Sequence, residues 1–348
     1  MLERHKIFID EPFGFEAGGS LDSLELVYHS SAREYVEGER VVWICHALTG
    51  NSNPEDWWPD MVGEGKLIDP EKVYVVCVNM LCSPYGSSSP ASINPATGKP
   101  YMLDFPKTTI RDIVRANILV RKHLGINHID VMLGPSIGGF QTLEWVIMEP
   151  DVVSEAIFLA TSTRVTPWLT AFNESQRMAM RTDPTFLAAE SLEGGKDGLA
   201  TARSIALISY RNFDCYNDRQ SEPDDDTLFA NRACTYQQHQ GEKMIKRFDA
   251  YCYWYLTNSL DSQNVGRGRG GVNKALEGIK AHCSVISIDT DTLFPPKHGR
   301  ATVAALKDAD FFEIKSLYGH DGFLLEYDQL SAILKPIFNK YLTDLTYN

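Results

Sequence analysis

Short runs of apolar and β-branched residues recur along the chain at 24–28, 41–45, 73–79, 129–133, 156–160, 285–289 and 311–314. Most of the later runs are continuously apolar rather than alternating, as strands covered on both faces of a parallel sheet are. Between them, at 110–123, 137–148, 298–306 and 327–341, apolar positions recur at the three-and-four spacing of amphipathic helices. This alternation predicts an α/β fold with a mostly parallel, doubly wound sheet. It breaks off between about 166 and 280, where SQRMAMR, GLATARSIALISYR and GEKMIKRFDAYCYWYL all read as helix. The simplest organisation is an α/β core of 1–165 and 281–348, interrupted by a helical domain at 166–280.

Composition narrows the class. The 348 residues suit one large domain or two, and 43% apolar with 23% charged residues is ordinary for a globular chain. No apolar run approaches the ~18 residues of a membrane span, and MLERHKIFIDEPFGFEAGG lacks the apolar core of a secretory signal. The balance of 33 Lys+Arg against 46 Asp+Glu gives a net charge of −13, which repels polyphosphate backbones. Neither a nucleic-acid nor a membrane partner is expected. The seven cysteines are odd in number and form no CxxC, and Cys45 and Cys77 sit inside apolar runs. That pattern predicts a reducing, cytoplasmic setting. With no HExxH and no Cys/His cluster at zinc spacing, no metal is expected.

Candidate chemistry centres on Gly134-Pro135-Ser136-Ile137-Gly138-Gly139, a G-x-S-x-G. The three fixed positions alone arise by chance in about one chain in ten of this length. Their context is more telling, because HIDVMLG before them reads as a strand and IGGFQTLEWVIMEP after them as a helix. A strand, a tight turn and a helix form the elbow that holds a serine nucleophile out of the chain. Serine needs a base, and the base needs an orienting carboxylate. In this arrangement they follow in the order serine, acid, histidine. Asp291, just past the run 285–288, and His320, just past the strand 311–314, meet that order at the carboxyl ends of strands. Asp289 is a rival for the acid, disfavoured because it lies nearer the strand body. After the strand 41–45, His46-Ala47-Leu48-Thr49-Gly50 resembles an oxyanion loop. The N–H groups of Leu48 and Ile137 would then face the developing charge, while His46 would bond to local backbone.

With these residues in view, the chain resembles the homoserine O-acetyltransferases of methionine biosynthesis, a branch of the α/β-hydrolase superfamily. The likeness runs from about 38 to 330 in the blocks WICHALTG, SINPATGKPY, FPKTTIRDIVRA, GPSIGGFQTLEW, AFNESQRMA, GEKMIKRFDA, DTDTLFPP and YGHDGFL. It implies an α/β-hydrolase fold with an inserted helical lid. It also implies double displacement through an acyl-serine, with acetyl-CoA as co-substrate, L-homoserine as acceptor and no cofactor, in a homodimer formed through the lid. Ser136, Asp291 and His320 match the triad. Arg203 and Tyr210 match residues that hold the acceptor, and Asp321 matches the group that meets its amine. Residue chemistry agrees. Arg203 and Tyr210 are seven apart, on one helix face. A guanidinium fork suits a carboxylate, and an ionised Asp accepts from an ammonium.

Some positions depart from the family pattern. Ile137 stands where Met is common, Gly322 replaces a frequent Ala, and Gln238-His239 replaces Arg-Tyr at a lid contact. The GRGRGG segment at 266–271 looks like an addition, read as a mobile surface loop ahead of a phosphate site. Trp57 and Trp58 are read as packing residues rather than an acyl tunnel, and the acidic run 222–226 as a solvated loop. Rival activities are homoserine O-succinyl transfer, serine O-acyl transfer and plain ester hydrolysis. The intact triad argues against an idle binding protein. Arg203, Tyr210 and Asp321 argue against an esterase, which needs no zwitterion clamp.

Overall fold

The computed structural model describes residues 1–342. Its main sheet has eight strands: β1 (Leu2–Ile9), β2 (Leu24–Ser31), β3 (Val41–Ile44), β4 (Tyr74–Val78), β5 (Ile129–Pro135), β6 (Val153–Leu159), β7 (His282–Ile288) and β8 (Ala309–Ile314). Their spatial order is β1-β2-β4-β3-β5-β6-β7-β8. β2 runs antiparallel to both β1 and β4, and every neighbouring pair from β4 to β8 is parallel. The mostly parallel sheet is thus as expected. β1 had no counterpart in the periodicity. It is an edge strand with only Leu2 and Ile7 buried along LERHKIFI, and a charged edge of this kind resists pairing with another chain.

The continuous apolar runs have a direct cause in β3. Val41 and Trp43 enter the core on one face of the sheet, and Val42 and Ile44 enter the core on the other. A strand covered on both faces favours apolar residues at successive positions. On the first face Trp43 meets Trp145 edge-on at 5.0 Å.

Helix α1 (Ile110–His123) follows β4, and α2 (Ile137–Met148) joins β5 to β6. Thr109 and Asp112 close α1 with a reciprocal capping box, which satisfies two otherwise orphaned N–H groups. Between β6 and β7 the chain makes α3 (Pro167–Arg181), α4 (Lys196–Tyr210), α5 (Phe213–Gln220), α6 (Arg232–Ile245) and α7 (Ala250–Asp261), with no strand of the main sheet. Helices α8 (Pro296–Ala305) and α9 (Tyr327–Tyr341) flank β8. No helix among the described residues is long and apolar enough to cross a membrane.

The GRGRGG segment is not a free loop. Arg267 grips Glu16 with both arms, at 2.6 and 2.9 Å. Arg269 holds the buried Glu144, and Arg111 reaches both carboxylates at 3.0 Å. These arginines are engaged by carboxylates from distant parts of the chain, so the sequence had no local sign of their partners. In the acidic run, Glu222 accepts from the N–H groups of Asn231 and Arg232 at the start of α6, a favourable place for negative charge.

Candidate active site

β5 ends at Pro135 and α2 begins at Ile137, so Ser136 alone makes the turn. Its φ of 57° and ψ of −119° lie where residues with a side chain seldom sit, at a cost of order 1–3 kcal/mol. The neighbouring glycines make the elbow possible by close approach. A Cβ on Gly134 would fall 2.3 Å from the Gly138 carbonyl, and one on Gly138 would fall 2.1 Å from the Cys45 carbonyl oxygen. A Cβ on Gly139 would press on Thr161 at 2.6 Å. Gly138 therefore lets α2 seat directly on the chain leaving β3. Gly138→Ala must push α2 and that chain apart, and is expected to cost about 1–3 kcal/mol of stability together with most of the activity. Denaturant midpoints and acylation rates would check this, and a variant as stable and active as the parent would contradict it.

The chain leaving β3 carries the second candidate oxyanion donor. His46 is fully buried; its Nδ1 bonds the Ala47 carbonyl at 2.9 Å and its Nε2 accepts from the Met80 N–H at 3.1 Å. Burial pushes its pKa down to about 4, so it is a neutral brace, as expected. The turn closes with Gly50 N–H donating to Ala47. The Leu48 N–H has no acceptor among the described residues. Ile137 opens α2, where an N–H has no partner within the helix. Both are therefore open to a ligand.

His320 lies in the 3-10 turn Gly319–Leu324 that follows β8. Its Nδ1 is 2.7 Å from Asp291 Oδ2, and both residues are buried. Asp291 Oδ1 accepts from the N–H groups of Leu293 and Phe294, at 2.8 and 2.9 Å. With the Nδ1–H donating to the carboxylate, Nε2 is left as an acceptor. Burial is the largest influence on His320 and disfavours the imidazolium. The charge and hydrogen bond of Asp291, with the charge of Asp321, outweigh it and raise the pKa. Asp289 is exposed, and its Oδ1 accepts from the Ser316 N–H at 2.9 Å. It anchors the loop after β8, while Asp291 meets the histidine.

The Ser136 hydroxyl is not hydrogen-bonded to His320 in this structure. Such contacts are commonly long before substrate binds. The two residues are linked through shared neighbours. Tyr210 and Phe294 line the narrow cavity at Ser136, and their rings lie 5.9 and 5.3 Å from the His320 ring. Phe323 closes on the imidazole edge-on at 5.4 Å. Behind it, the fully buried Trp58 donates to the Phe323 carbonyl at 2.8 Å and stacks on Trp57. The tryptophans brace the histidine turn and do not line the cavity, in line with the packing role read for them.

The inserted helices roof the cavity. Leu169, Phe172, Asn173 and Gln176 come from α3, Ser209 and Tyr210 from α4, and Leu260 from α7. No lysine or arginine among the described residues lines it. Gln176 is oriented by Tyr253, which donates to its Oε1 at 2.5 Å, and Asn173 donates to Asp261 at 2.8 Å. These two belong to the AFNESQRMA block, but the sequence offered no reason to place them over the serine.

Arg203 and Tyr210 share a face of α4, with the guanidinium 5.6 Å from the ring centre. Arg203 is half-buried, and its contacts with other described residues include this stacking and the charge of Asp321. Asp321 is partly buried, and burial, its largest influence, raises its pKa; the charges of Arg211, His320 and Arg203 oppose that. Its partner, 3.3 Å away, is Arg211. Arg211 was missed because it falls one residue past the Arg203–Tyr210 face. Its only sequence signal is its place beside Tyr210.

The family model for the alpha/beta hydrolase fold matches residues 40–327. The homoserine O-acetyltransferase of Cyclobacterium marinum is 40% identical over 334 residues, spanning 95% of this chain and 94% of the relative. Among solved structures, homoserine O-acetyltransferase from Staphylococcus aureus is 31% identical with a TM-score of 0.80, covering 97% of this chain and 96% of that one. The Bacillus anthracis homoserine O-acetyltransferase superposes with a TM-score of 0.88 and 98% coverage of both chains, but at 22% identity it speaks for the fold alone. Given a relative so similar along nearly its whole length, the chain belongs to the homoserine O-acetyltransferase family, acyltransferases built on the alpha/beta-hydrolase fold.

Proposed function

We propose that this enzyme moves the acetyl group of acetyl-CoA to the side-chain hydroxyl of L-homoserine through an acyl-Ser136 intermediate. In the first half, His320 Nε2 takes the Ser136 proton as the oxygen attacks the thioester carbonyl. The tetrahedral oxyanion rests on the N–H groups of Leu48 and Ile137. It collapses with loss of CoA thiolate, which receives the proton from His320. In the second half, the homoserine hydroxyl gives its proton to His320 and attacks the acyl-serine. The second oxyanion uses the same two donors, and its collapse returns the proton to Ser136. Asp291 holds the imidazole in the tautomer that both halves need. The inserted helices, 166–280, act as a lid that excludes water from the acyl-serine.

The observation that carries this reading is the pair of opposite charges around His320. Arg203 is a half-buried cation that stacks on Tyr210 and is held by no described carboxylate within ion-pair distance, and Asp321 directly follows the base. Homoserine is a zwitterion, and this pair would hold its carboxylate and its ammonium, one at each end. Acetyl suits the cavity better than succinyl, whose far carboxylate would meet no described lysine or arginine in the wall at Ser136, the cation beside Tyr210, Arg203, being taken by the acceptor's carboxylate. Trp168, Ile208 and Phe213 are exposed and line one apolar groove on the insertion, a face that the second copy of a homodimer would cover. All seven cysteines are free, which suits the cytoplasm.

Arg203→Ala and Asp321→Ala test the assignment. Each would strand one charge of the bound acceptor, a loss of about 2–5 kcal/mol for desolvated pairs. Single-turnover transfer from acyl-enzyme to homoserine is expected to fall accordingly. Loading of Ser136 from acetyl-CoA is expected to change little in Arg203→Ala, because the donor has no amino-acid head. Asp321→Ala also removes a charge that raises the His320 pKa, so its loading should keep its maximum rate with a pH profile shifted to lower pH. Equal loss in both halves would mean that these residues support the triad and not the acceptor.

A further inference from the structure

The oxyanion turn is braced from inside the core by His46, but it is also held from outside. Arg247 sits between α6 and α7, in the inserted helical segment. One arm of its guanidinium, Nη1, donates to the Thr49 carbonyl at 2.7 Å and to the Tyr85 hydroxyl at 2.9 Å. The other arm, Nη2, donates to Thr49 Oγ1 at 3.2 Å. The next residue, Phe248, is buried and packs edge-on against Tyr85 at 5.9 Å and Tyr253 at 6.0 Å. Tyr253 in turn orients Gln176 in the roof of the cavity. The contact therefore joins three separate parts of the chain: the turn after β3, the loop after β4 and the α6–α7 junction.

Thr49 immediately follows Leu48, the candidate oxyanion donor. The Leu48 N–H shares its peptide plane with the Ala47 carbonyl, which is held by His46 Nδ1 and by the Gly50 N–H, both at 2.9 Å. Arg247 grips the next residue, Thr49, through both its carbonyl oxygen and its side-chain oxygen, and so fixes the downstream end of the same turn. A fork that grips two oxygens of one residue restrains rotation as well as position, which a single hydrogen bond does not. We propose that Arg247 is a positioning residue that aims the Leu48 N–H at the developing oxyanion, so that the oxyanion hole is complete only while the inserted helices are docked. The proposal rests on the acyl-serine reading of Ser136. It has a consequence for order of events: undocking of the insertion to admit or release substrate would relax the hole, and the acyl-serine would be activated again only on closure. Exclusion of water and activation of the carbonyl would then depend on the same movement.

The test separates kcat from KM in each half-reaction. Both halves pass through a tetrahedral oxyanion, so a defect in the hole must slow both. A loss of one oxyanion donor costs about 10²–10³-fold in kcat, and loosening one is expected to cost less, on the order of 10–100-fold. Arg247→Ala should therefore slow acylation by acetyl-CoA, acylation by p-nitrophenyl acetate and transfer to homoserine by similar factors, at nearly unchanged KM. Arg247→Lys, which can reach the Thr49 carbonyl with one donor, should recover part of the rate in both halves together. If Arg247→Ala does not fold, Arg247→Lys alone carries the test and should show a smaller but parallel loss in both halves. Unchanged kcat, a loss confined to KM, or a loss confined to one half would overturn the proposal. Wild-type enzyme that is acylated by p-nitrophenyl acetate yet passes nothing from acetyl-CoA to homoserine would refute the substrate reading alone.

Discussion

Ser136→Ala is expected to lower acyl transfer by about 10⁴-fold or more while leaving the fold intact. The size of the loss follows from how a triad acts. Base and acid have nothing to activate once the nucleophile is gone, so the effect approaches that of removing the whole set. The fold should survive for reasons visible at the elbow. Alanine keeps the Cβ, so the unusual φ of 57° is no worse for it than for serine. The Ser136 N–H still donates to the Leu159 carbonyl at 2.9 Å, and its carbonyl still accepts from Thr161 Oγ1 at 3.0 Å. Only the hydroxyl is lost, and that group holds no other described residue. Turnover of acetyl-CoA with homoserine, set beside thermal unfolding, decides the matter. A folded Ser136→Ala protein with near-parental activity would exclude the acyl-serine.

Asp291→Asn should cost nearly as much, for a different reason. The amide oxygen can still accept from the N–H groups of Leu293 and Phe294, so the loop should hold its shape. Its amide nitrogen would then face His320 Nδ1 and could only donate. The imidazole would have to carry its proton on Nε2, where it cannot accept from serine. In serine proteases this tautomer change costs about 10⁴-fold. Asp289→Asn is the matched control. Its oxygen can still accept from the Ser316 N–H, and it is exposed, so activity should stay within about twofold. Comparable losses in the two variants would show that the carboxylates act through the loop rather than through the histidine.

The core of the fold was legible because burial on both faces favours apolar residues at successive positions, with only a few bonded polar ones such as Asp130 and Ser284. β3, β5 and β7 appear as apolar runs for that reason. β1 was not legible, since a charged edge strand imposes no such run. The elbow at Ser136 and the pairing of Asp291 with His320 were legible because their order and their places at strand ends are fixed by topology. The reasons for the glycines were only half legible. A turn glycine can be read from sequence, but the approach of Gly138 to the Cys45 carbonyl comes from folding. Arg211 and Arg247 were invisible for a related reason. They act on a carboxylate and a peptide far away along the chain, and neither helical spacing nor residue type announces that. The segment 266–271 shows the same limit, because its arginines meet Glu16 and Glu144 only in the folded molecule.

The double-displacement mechanism predicts a covalent state that can be isolated. A purified enzyme given acetyl-CoA and no acceptor should release about one CoA thiol per active site and then slow. Intact-mass spectrometry should show one added acetyl group, and peptide mapping should place it on Ser136. Addition of homoserine should discharge it as O-acetylhomoserine, and succinyl-CoA should load the serine poorly. An enzyme that stays unmodified, and releases thiol only when donor and acceptor are bound together, would contradict the account.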